Sequence, residues 1–220
     1  MYDQMYRESQ HRLRDLLTPL TSAELELNVP ACPLWSVRDV LAHLAGVSAS
    51  IAGGFGAYPA STEWTHGHVE ARRGHTVQQM FDEWAQHTPV LIQMPITSTN
   101  WLPVLHDTLS HEADIRGAIG APQLPGDVLA AAYPLLLTGF SHRLSRFGTV
   151  RLDLDEQPVM LGSGEPDLVV QASRFEFWRG AFGRRSPSQL RSWVRHGDAP
   201  GFAVTLPIFP ARATDLIESG

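Results

Sequence analysis

The sequence contains no lysine, so all 17 basic residues among its 220 are arginine. Mechanisms in which a lysine amine forms a Schiff base are therefore excluded, and pyridoxal enzymes with them. The single cysteine, Cys32, cannot form a disulfide within the chain. The N-terminal residues lack the charged start and following apolar segment that are typical of a signal peptide. We therefore expect a cytoplasmic protein.

Long basic runs and long apolar runs are also lacking. The formal net charge is -6 at pH 7 and no stretch concentrates arginine, so nucleic acid is not an expected partner. No apolar segment reaches the length of about 18 residues that a membrane-spanning helix needs, so we expect no membrane partner. With 43% hydrophobic and 18% charged residues, the chain can build one large domain or two modest ones.

Helical periodicity dominates the first 120 residues. Apolar residues at helical spacing predict helices at about 2–25, 37–51, 76–93 and 102–119. Ser36 with Asp39, and Thr76 alone, have the residue types of helix N-caps, and Pro19 should kink or shorten the first helix. Residues 28–33 are expected to be an extended connector and residues 97–100 a turn.

The segment 55–74 is rich in glycine, serine, threonine and histidine, and we predict a long loop there. Loops of this length are often lids or binding segments. Trp64 would then either cover a substrate or anchor the loop. His66 and His68 are interpreted as exposed loop histidines, with a stray metal site as the alternative.

The character changes beyond Pro125. A helix at 127–147 is followed by β-type runs at 149–154, 158–161 and 168–171, the first two forming a hairpin around 155–157. Helices at 173–182 and 187–195 and a final strand at 202–206 complete the pattern. We therefore predict an α+β protein, with a four-helix bundle in residues 1–123 and a small α+β domain in residues 124–220.

Candidate metal ligands lie on two of the predicted helices. Asp107 and His111 stand four residues apart, so their β-carbons are about 5–6 Å apart on one helical face, and His43 on the second helix is the third ligand. Three protein ligands leave one position open, which is the catalytic pattern for zinc. Alternatives are a surface hydrogen bond between Asp107 and His111, and a core histidine at position 43 bonded to a backbone carbonyl.

Three stretches resemble the mycothiol-dependent maleylpyruvate isomerase family, a branch of the DinB-like metalloenzymes. Residues 32–46 (CPLWSVRDVLAHLAG) resemble its first signature, and residues 110–120 (SHEADIRGAIG) resemble its second. Residues 183–185 (GRR) and 197–198 (GD) resemble parts of the small domain that follows the bundle in those enzymes. The resemblance spans most of the chain.

The resemblance implies a DinB-like bundle with a divalent ion, zinc being expected, bound by His43, Asp107 and His111. It also implies mycothiol as a thiol cosubstrate and isomerisation or thiol transfer on a small unsaturated or electrophilic substrate. The family usually has glutamate where this chain has Asp107, which is one methylene shorter. An arginine of the C-terminal domain is implicated in catalysis there, and Arg184 and Arg185 are the candidates here; the alternative is a solvated surface pair.

Side chains near the predicted ligands have two interpretations each. Asp114 either supports His111 or forms an ion pair with an arginine such as Arg116, and Asp39 either supports His43 or is a helix-start charge. Two other functions also stay open. The metal could activate water in a hydrolase, or the bundle could have lost its metal and act as a metal-independent enzyme, binding protein or accessory protein. The sequence leaves open whether the chain is a monomer or a homodimer.

Overall fold

The structure, a computed structural model, describes residues 1–54, 61–95, 98–155 and 157–218, without the side chains of residues 98–100 and 157. The chain divides into two units, Met1–Gln123 and Leu124–Gly220. None of the helices in the described ranges combines the length and the apolar character needed to cross a bilayer.

The N-terminal unit is a four-helix bundle with additions. Helices α1 and α3 each pack against both α5 and α6, so the helices follow one another around the bundle in the order α1, α5, α3, α6. The short helix α4 packs on α3, and an antiparallel pair of strands lies between α2 and α3. The elements are α1 (Tyr2–Leu17), α2 (Ser22–Leu25), β1 (Asn28–Val29), β2 (Cys32–Ser36), α3 (Val37–Ala52), α4 (Thr62–Ala71), α5 (Val77–Leu91) and α6 (Ser98–Ala118).

The start of α3 is fixed by a capping box. The Ser36 hydroxyl accepts a hydrogen bond from the Asp39 backbone N–H at 3.2 Å, and the Asp39 carboxylate accepts one from the Ser36 backbone N–H at 3.0 Å. The predicted cap is thus confirmed, and Asp39 serves the helix start. Thr76 caps α5 in the same way, with Gln79 as its partner. Because Ser36 sets where α3 begins, it also sets the position of His43 about two turns further on.

Apolar and aromatic side chains fill the interior of the bundle. The indole N–H of Trp84 on α5 donates to the Tyr6 hydroxyl on α1 at 2.5 Å, so two large aromatic residues are buried with their polar groups paired. The fully buried large side chains of this unit include Tyr6, Leu13, Phe81, Trp84 and Trp101. These side chains come from α1, α5 and α6 and form part of the core of this unit.

Two predictions for the N-terminal unit are wrong. Residues 62–71 of the predicted loop form helix α4, because Ser61 caps it by accepting from the Trp64 backbone N–H at 3.2 Å. Residues 55–60 of that loop lie outside the described residues. The first helix ends at Leu17, before Pro19, so the expectation that Pro19 would kink or shorten it is confirmed, and the separate helix α2 follows. The predicted turn at 97–100 is replaced from residue 98 onward by α6, and residue 97 is not among the described residues.

The C-terminal unit combines helices with a four-stranded sheet. In the sheet, in the order β4-β3-β5-β6, β3 runs antiparallel to β4 and parallel to β5, and β6 runs antiparallel to β5. Its elements are α7 (Gly126–Leu144) with a 3-10 turn (Ser145–Phe147), β3 (Val150–Leu154), β4 (Gln157–Leu161), β5 (Leu168–Ala172), α8 (Arg174–Ala181), α9 (Pro187–Ser192), β6 (Val194–His196) and α10 (Ala199–Thr205).

The predicted β3–β4 hairpin is confirmed, although residue 156 of its turn lies outside the described residues. The final strand predicted at 202–206 is wrong, because residues 199–205 form α10. The Asp198 side chain caps this helix by accepting from the Gly201 backbone N–H at 2.9 Å, and a proline lies in its first turn. Strand β6 was not predicted.

Candidate metal centre

The three predicted ligands converge in the interior of the bundle. Asp107 and His111 lie one turn apart on α6, and His43 lies on the neighbouring α3. Asp107 Oδ2 is 3.4 Å from His43 Nε2, and Asp107 Oδ1 is 3.5 Å from His111 Nε2. One donor atom from each residue lies within 4.8 Å of the other two. The exposed fractions are 3% for His43, 8% for Asp107 and 5% for His111.

These spacings fit a divalent ion. A tetrahedral zinc with ligand bonds of about 2.0–2.1 Å separates its donor atoms by about 3.3 Å. The Asp107 carboxylate lies 3.4 and 3.5 Å from the two imidazole nitrogens, close to that separation. Aspartate, although shorter than glutamate, therefore reaches both histidines. Two imidazole nitrogens and one carboxylate oxygen are donor types that divalent ions such as zinc accept.

His111 is held from its other side by a carboxylate. Its Nδ1 atom lies 3.0 Å from Asp114 Oδ2, and the Cys32 thiol donates to the same oxygen at 3.3 Å. Arg116 pairs instead with Glu112 at 2.9 Å. Of the two interpretations of Asp114, the geometry therefore favours support of His111, as expected for a carboxylate–histidine pair behind a metal. Cys32, His111 and Asp114 are themselves close enough to form a second group of donors.

The surroundings of His111 favour its protonated form when no metal is bound. Burial lowers the pKa of His111, but the negative charge of Asp107 and the hydrogen bond to Asp114 outweigh it and raise the pKa to about 10. A metal ion needs the neutral imidazole. Metal binding at this nitrogen must therefore displace a proton at neutral pH.

His43 contacts a residue that sequence reasoning missed as part of the site. The Nδ1 atom of His68 lies 3.4 Å from Nδ1 of His43, and Nε2 of His68 lies 3.0 Å from the Ser50 hydroxyl. His68 is buried on α4 with an exposed fraction of 6%, so its interpretation as an exposed loop histidine is wrong. The four-residue spacing of Trp64 and His68, which places them on one helical face, was the signal available.

Two tryptophans surround the imidazoles. The Trp35 ring lies 4.9 Å from the His43 ring and 5.8 Å from the His111 ring, measured between centroids. The Trp64 ring lies 4.2 Å from the His68 ring. Trp64 therefore packs against His68, and its ring also lies 6.4 Å from the His43 ring, measured between centroids. Indole rings at these distances restrict the access of water to the imidazoles and lower the local dielectric constant.

The two predicted arginines lie in the other unit and are both buried. Arg185, with an exposed fraction of 0%, donates to Glu176 at 2.6 Å and to Glu218 at 2.7 Å. Arg184, 9% exposed, donates to the Phe182 carbonyl at 2.7 Å. The alternative of a solvated surface pair is therefore wrong. Gly183 before them has φ +77°, in the left-handed region that favours glycine.

The fold and the donor set define a class: a helical bundle whose facing helices bring histidine and carboxylate donors to one interior point. Residues 6–94 match the model of the family described as "Mycothiol maleylpyruvate isomerase N-terminal domain". The resemblance seen in the sequence is thus confirmed over residues 6–94, which lie in the N-terminal unit.

One solved structure agrees with this chain at the level of the fold. A histidine-to-alanine variant of the mycothiol-dependent maleylpyruvate isomerase aligns with a TM-score of 0.53 and 14% identity, over 83% of this chain and 88% of that one. Another structure of that isomerase aligns over the same shares, with a TM-score of 0.48 and 14% identity. The predicted fold class, a DinB-like bundle followed by a small α+β domain, is confirmed. A comparison with proteins of curated function found no match.

Proposed function

We propose that this chain is a divalent-metal-dependent enzyme that uses a low-molecular-weight thiol for isomerisation or thiol transfer on a small unsaturated or electrophilic substrate. The observation that carries the proposal is the convergence of His43, Asp107 and His111 within 4.8 Å in the bundle interior. Mycothiol is the proposed thiol, because the family model that matches residues 6–94 and the aligned isomerase both carry that name.

Each residue of the site has a defined part in this proposal. His43 and His111 would bind zinc through their Nε2 atoms, and the Asp107 carboxylate would offset one of its two positive charges. Bound zinc would hold a thiol as the thiolate at neutral pH and so supply a nucleophile. Trp35, beside both imidazoles, would keep bulk water away from that nucleophile. Roles of Arg184 and Arg185 in catalysis stay a prediction.

The first test is the metal content of the purified protein by elemental analysis after zinc supplementation. We expect about one zinc per chain in the wild type and loss of it in His43→Ala, Asp107→Asn and His111→Ala, as for a three-ligand site. His66→Ala, which removes an exposed histidine of the same unit, is the matched control and should retain the metal. A wild type that stays metal-free after supplementation would overturn the proposal.

The second test separates thiol chemistry from hydrolysis. Cobalt(II) replaces zinc in such sites and gains an absorption band when sulfur binds to it. Titration of the cobalt-loaded protein with mycothiol should produce this band, and His111→Ala should not. Turnover of an unsaturated acid should then depend on the thiol. Turnover of ester or amide substrates without any thiol would instead support the metal-dependent hydrolase.

A further inference from the structure

The imidazole of His43 is flanked on its far side by a second buried imidazole. We propose that His68 is a positioning residue that accepts a hydrogen bond from Nδ1 of His43 and thereby directs Nε2 of His43 toward Asp107 and His111. The inference rests on the proposed function, because it concerns how a ligand of that metal site is oriented. It assigns to helix α4 a part in building the site.

The direction of this hydrogen bond follows from assigning Nε2 of His43 to the proposed metal. The two Nδ1 atoms are 3.4 Å apart, so one carries a hydrogen and the other accepts it. Nε2 of His43 faces Asp107 at 3.4 Å, and a histidine that binds a metal through Nε2 carries its hydrogen on Nδ1. His68 must then accept at Nδ1 and carry its own hydrogen on Nε2, where the Ser50 hydroxyl lies at 3.0 Å.

The environment of His68 suits an acceptor. His68 is buried, with an exposed fraction of 6%, and the Ser50 hydroxyl, 3.0 Å from its Nε2, can accept the hydrogen that this nitrogen carries. A neutral imidazole has one free nitrogen lone pair, whereas a protonated one has none. The two ligand histidines thus have different supports: His111 faces the carboxylate of Asp114, and His43 faces a neutral ring.

The place of the His68 ring depends on a glycine in α3. A Cβ added to Gly46 would lie 2.7 Å from Cδ2 of His68 and closer still to its Cβ and Cγ. Glycine inside a helix costs about 1 kcal/mol relative to alanine, so its presence one turn after His43 has a cost that close approach of the ring explains. The backbone of His68 is held in place as well, because Arg72 donates to the His68 carbonyl at 2.9 Å and to the Glu83 carboxylate at 2.8 Å.

Four variants test the inference. His68→Phe keeps a ring but removes the acceptor, His68→Gln restores an acceptor oxygen, and Gly46→Ala displaces the ring while His68 itself is unchanged. Gly67→Ala is the matched control, because a Cβ at Gly67 on α4 meets nothing within 4 Å. Zinc affinity is measured by competition with a chromophoric chelator, and circular dichroism establishes that each variant is folded.

We expect His68→Phe and Gly46→Ala to bind zinc about 10- to 100-fold more weakly than the wild type, the usual effect of removing the partner behind a ligand histidine. His68→Gln should recover most of the loss, and Gly67→Ala should equal the wild type. NMR of the zinc-loaded protein with ¹⁵N-labelled histidine gives an independent readout. The wild type should show a slowly exchanging Nδ1–H of His43, and His68→Phe should lose it.

The outcomes separate this inference from the function on which it rests. A wild type that binds no zinc overturns both. A wild type that binds zinc while folded His68→Phe binds it equally well, with the Nδ1–H signal retained, overturns the positioning role alone. If His68→Phe does not fold, Gly46→Ala and His68→Gln decide: equal zinc affinity in Gly46→Ala, or no better binding in His68→Gln than in Gly46→Ala, counts against the proposal.

Discussion

The Nδ1 atom of His111 lies 3.0 Å from Oδ2 of Asp114, one helical turn further along α6. This contact leaves the other ring nitrogen, Nε2, turned toward Asp107 at 3.5 Å. A single helix therefore carries a carboxylate on each side of one imidazole. Such an arrangement fixes both the orientation of the ring and the nitrogen that is offered to a metal.

Replacing Asp114 should weaken metal binding while leaving all three proposed ligands in place. In Asp114→Asn the negative charge behind His111 is lost, so the imidazole becomes a weaker ligand and its orientation is less fixed. We expect zinc affinity to fall about 10- to 100-fold in a chelator competition assay. Asp15→Asn, at an exposed position on α1, is the control and should bind zinc like the wild type. Equal affinities in the two variants would contradict the role of Asp114.

Zinc binding should release a proton from His111. In the metal-free fold the pKa of His111 is raised from 6.5 to about 10, so the imidazole is charged at pH 7 and the metal must displace its proton. Apparent zinc affinity should therefore rise with pH, by about tenfold per unit below that pKa. Calorimetry in two buffers of different ionisation enthalpy measures the number of protons released. Release of none at pH 7 would contradict the assignment.

The raised pKa of His111 also predicts how the stability of the metal-free protein depends on pH. A raised pKa in the folded state means that the fold favours the charged imidazole, so this contribution is complete below about pH 6.5 and is lost as pH rises toward about 10. We expect the free energy of unfolding of the metal-free wild type to decrease over that range. His111→Gln, which does not titrate, should show a smaller decrease in the same urea titrations.

Much of the bundle could be predicted because its helices are long, periodic and capped. Ser36 and Asp39 have the pattern of a capping box and predict the start of α3. The four-residue spacing of Asp107 and His111 places both on one face of α6. The meeting of α3 and α6 could not be deduced from periodicity alone. It required the resemblance to a family, since a helical pattern shows which face is buried but not which helix lies against it.

Helices α4 and α10, which the sequence pattern did not predict, have polar or short buried faces. Helix α4 buries His68 and Val69, and a histidine in a glycine- and threonine-rich segment has the composition of a loop. Its burial depends on Gly46 in another helix, which no local pattern reveals. The apolar run near Phe202 fits a short buried strand as well as a helix, because the two have the same pattern. The caps at Ser61 and Asp198 were the local signals that favoured helix in both cases.

Buried Glu112 is expected to stabilise the N-terminal unit. It accepts hydrogen bonds from the Ser9 hydroxyl at 2.5 Å, from Arg12 at 2.8 Å and from Arg116 at 2.9 Å, and so joins α1 to α6. Glu112→Gln keeps the shape but leaves two partly buried arginines without their countercharge. We expect a loss of about 3 kcal/mol in the free energy of unfolding, measured in urea. Glu8→Gln, at an exposed position on α1, should change it by less than about 0.5 kcal/mol.

A structural role and a catalytic role of Arg185 predict different results for the same substitution. Arg185 is fully buried, and its guanidinium is held by Glu176 and Glu218, so Arg185→Met removes two ion pairs at once. Glu218 keeps its ion pair with Arg179 at 2.7 Å, so the substitution does not leave Glu218 without a countercharge.

We expect Arg185→Met to destabilise the C-terminal unit by about 3 kcal/mol, because breaking a buried ion pair leaves a carboxylate without its partner. Hydrogen exchange should locate the loss of protection in residues 124–220. Arg151→Met, which breaks an exposed pair with Asp153, is the control and should cost less than about 1 kcal/mol. If Arg185→Met is as stable as Arg151→Met and loses thiol-dependent turnover instead, the structural role is wrong and the catalytic prediction for this arginine is supported.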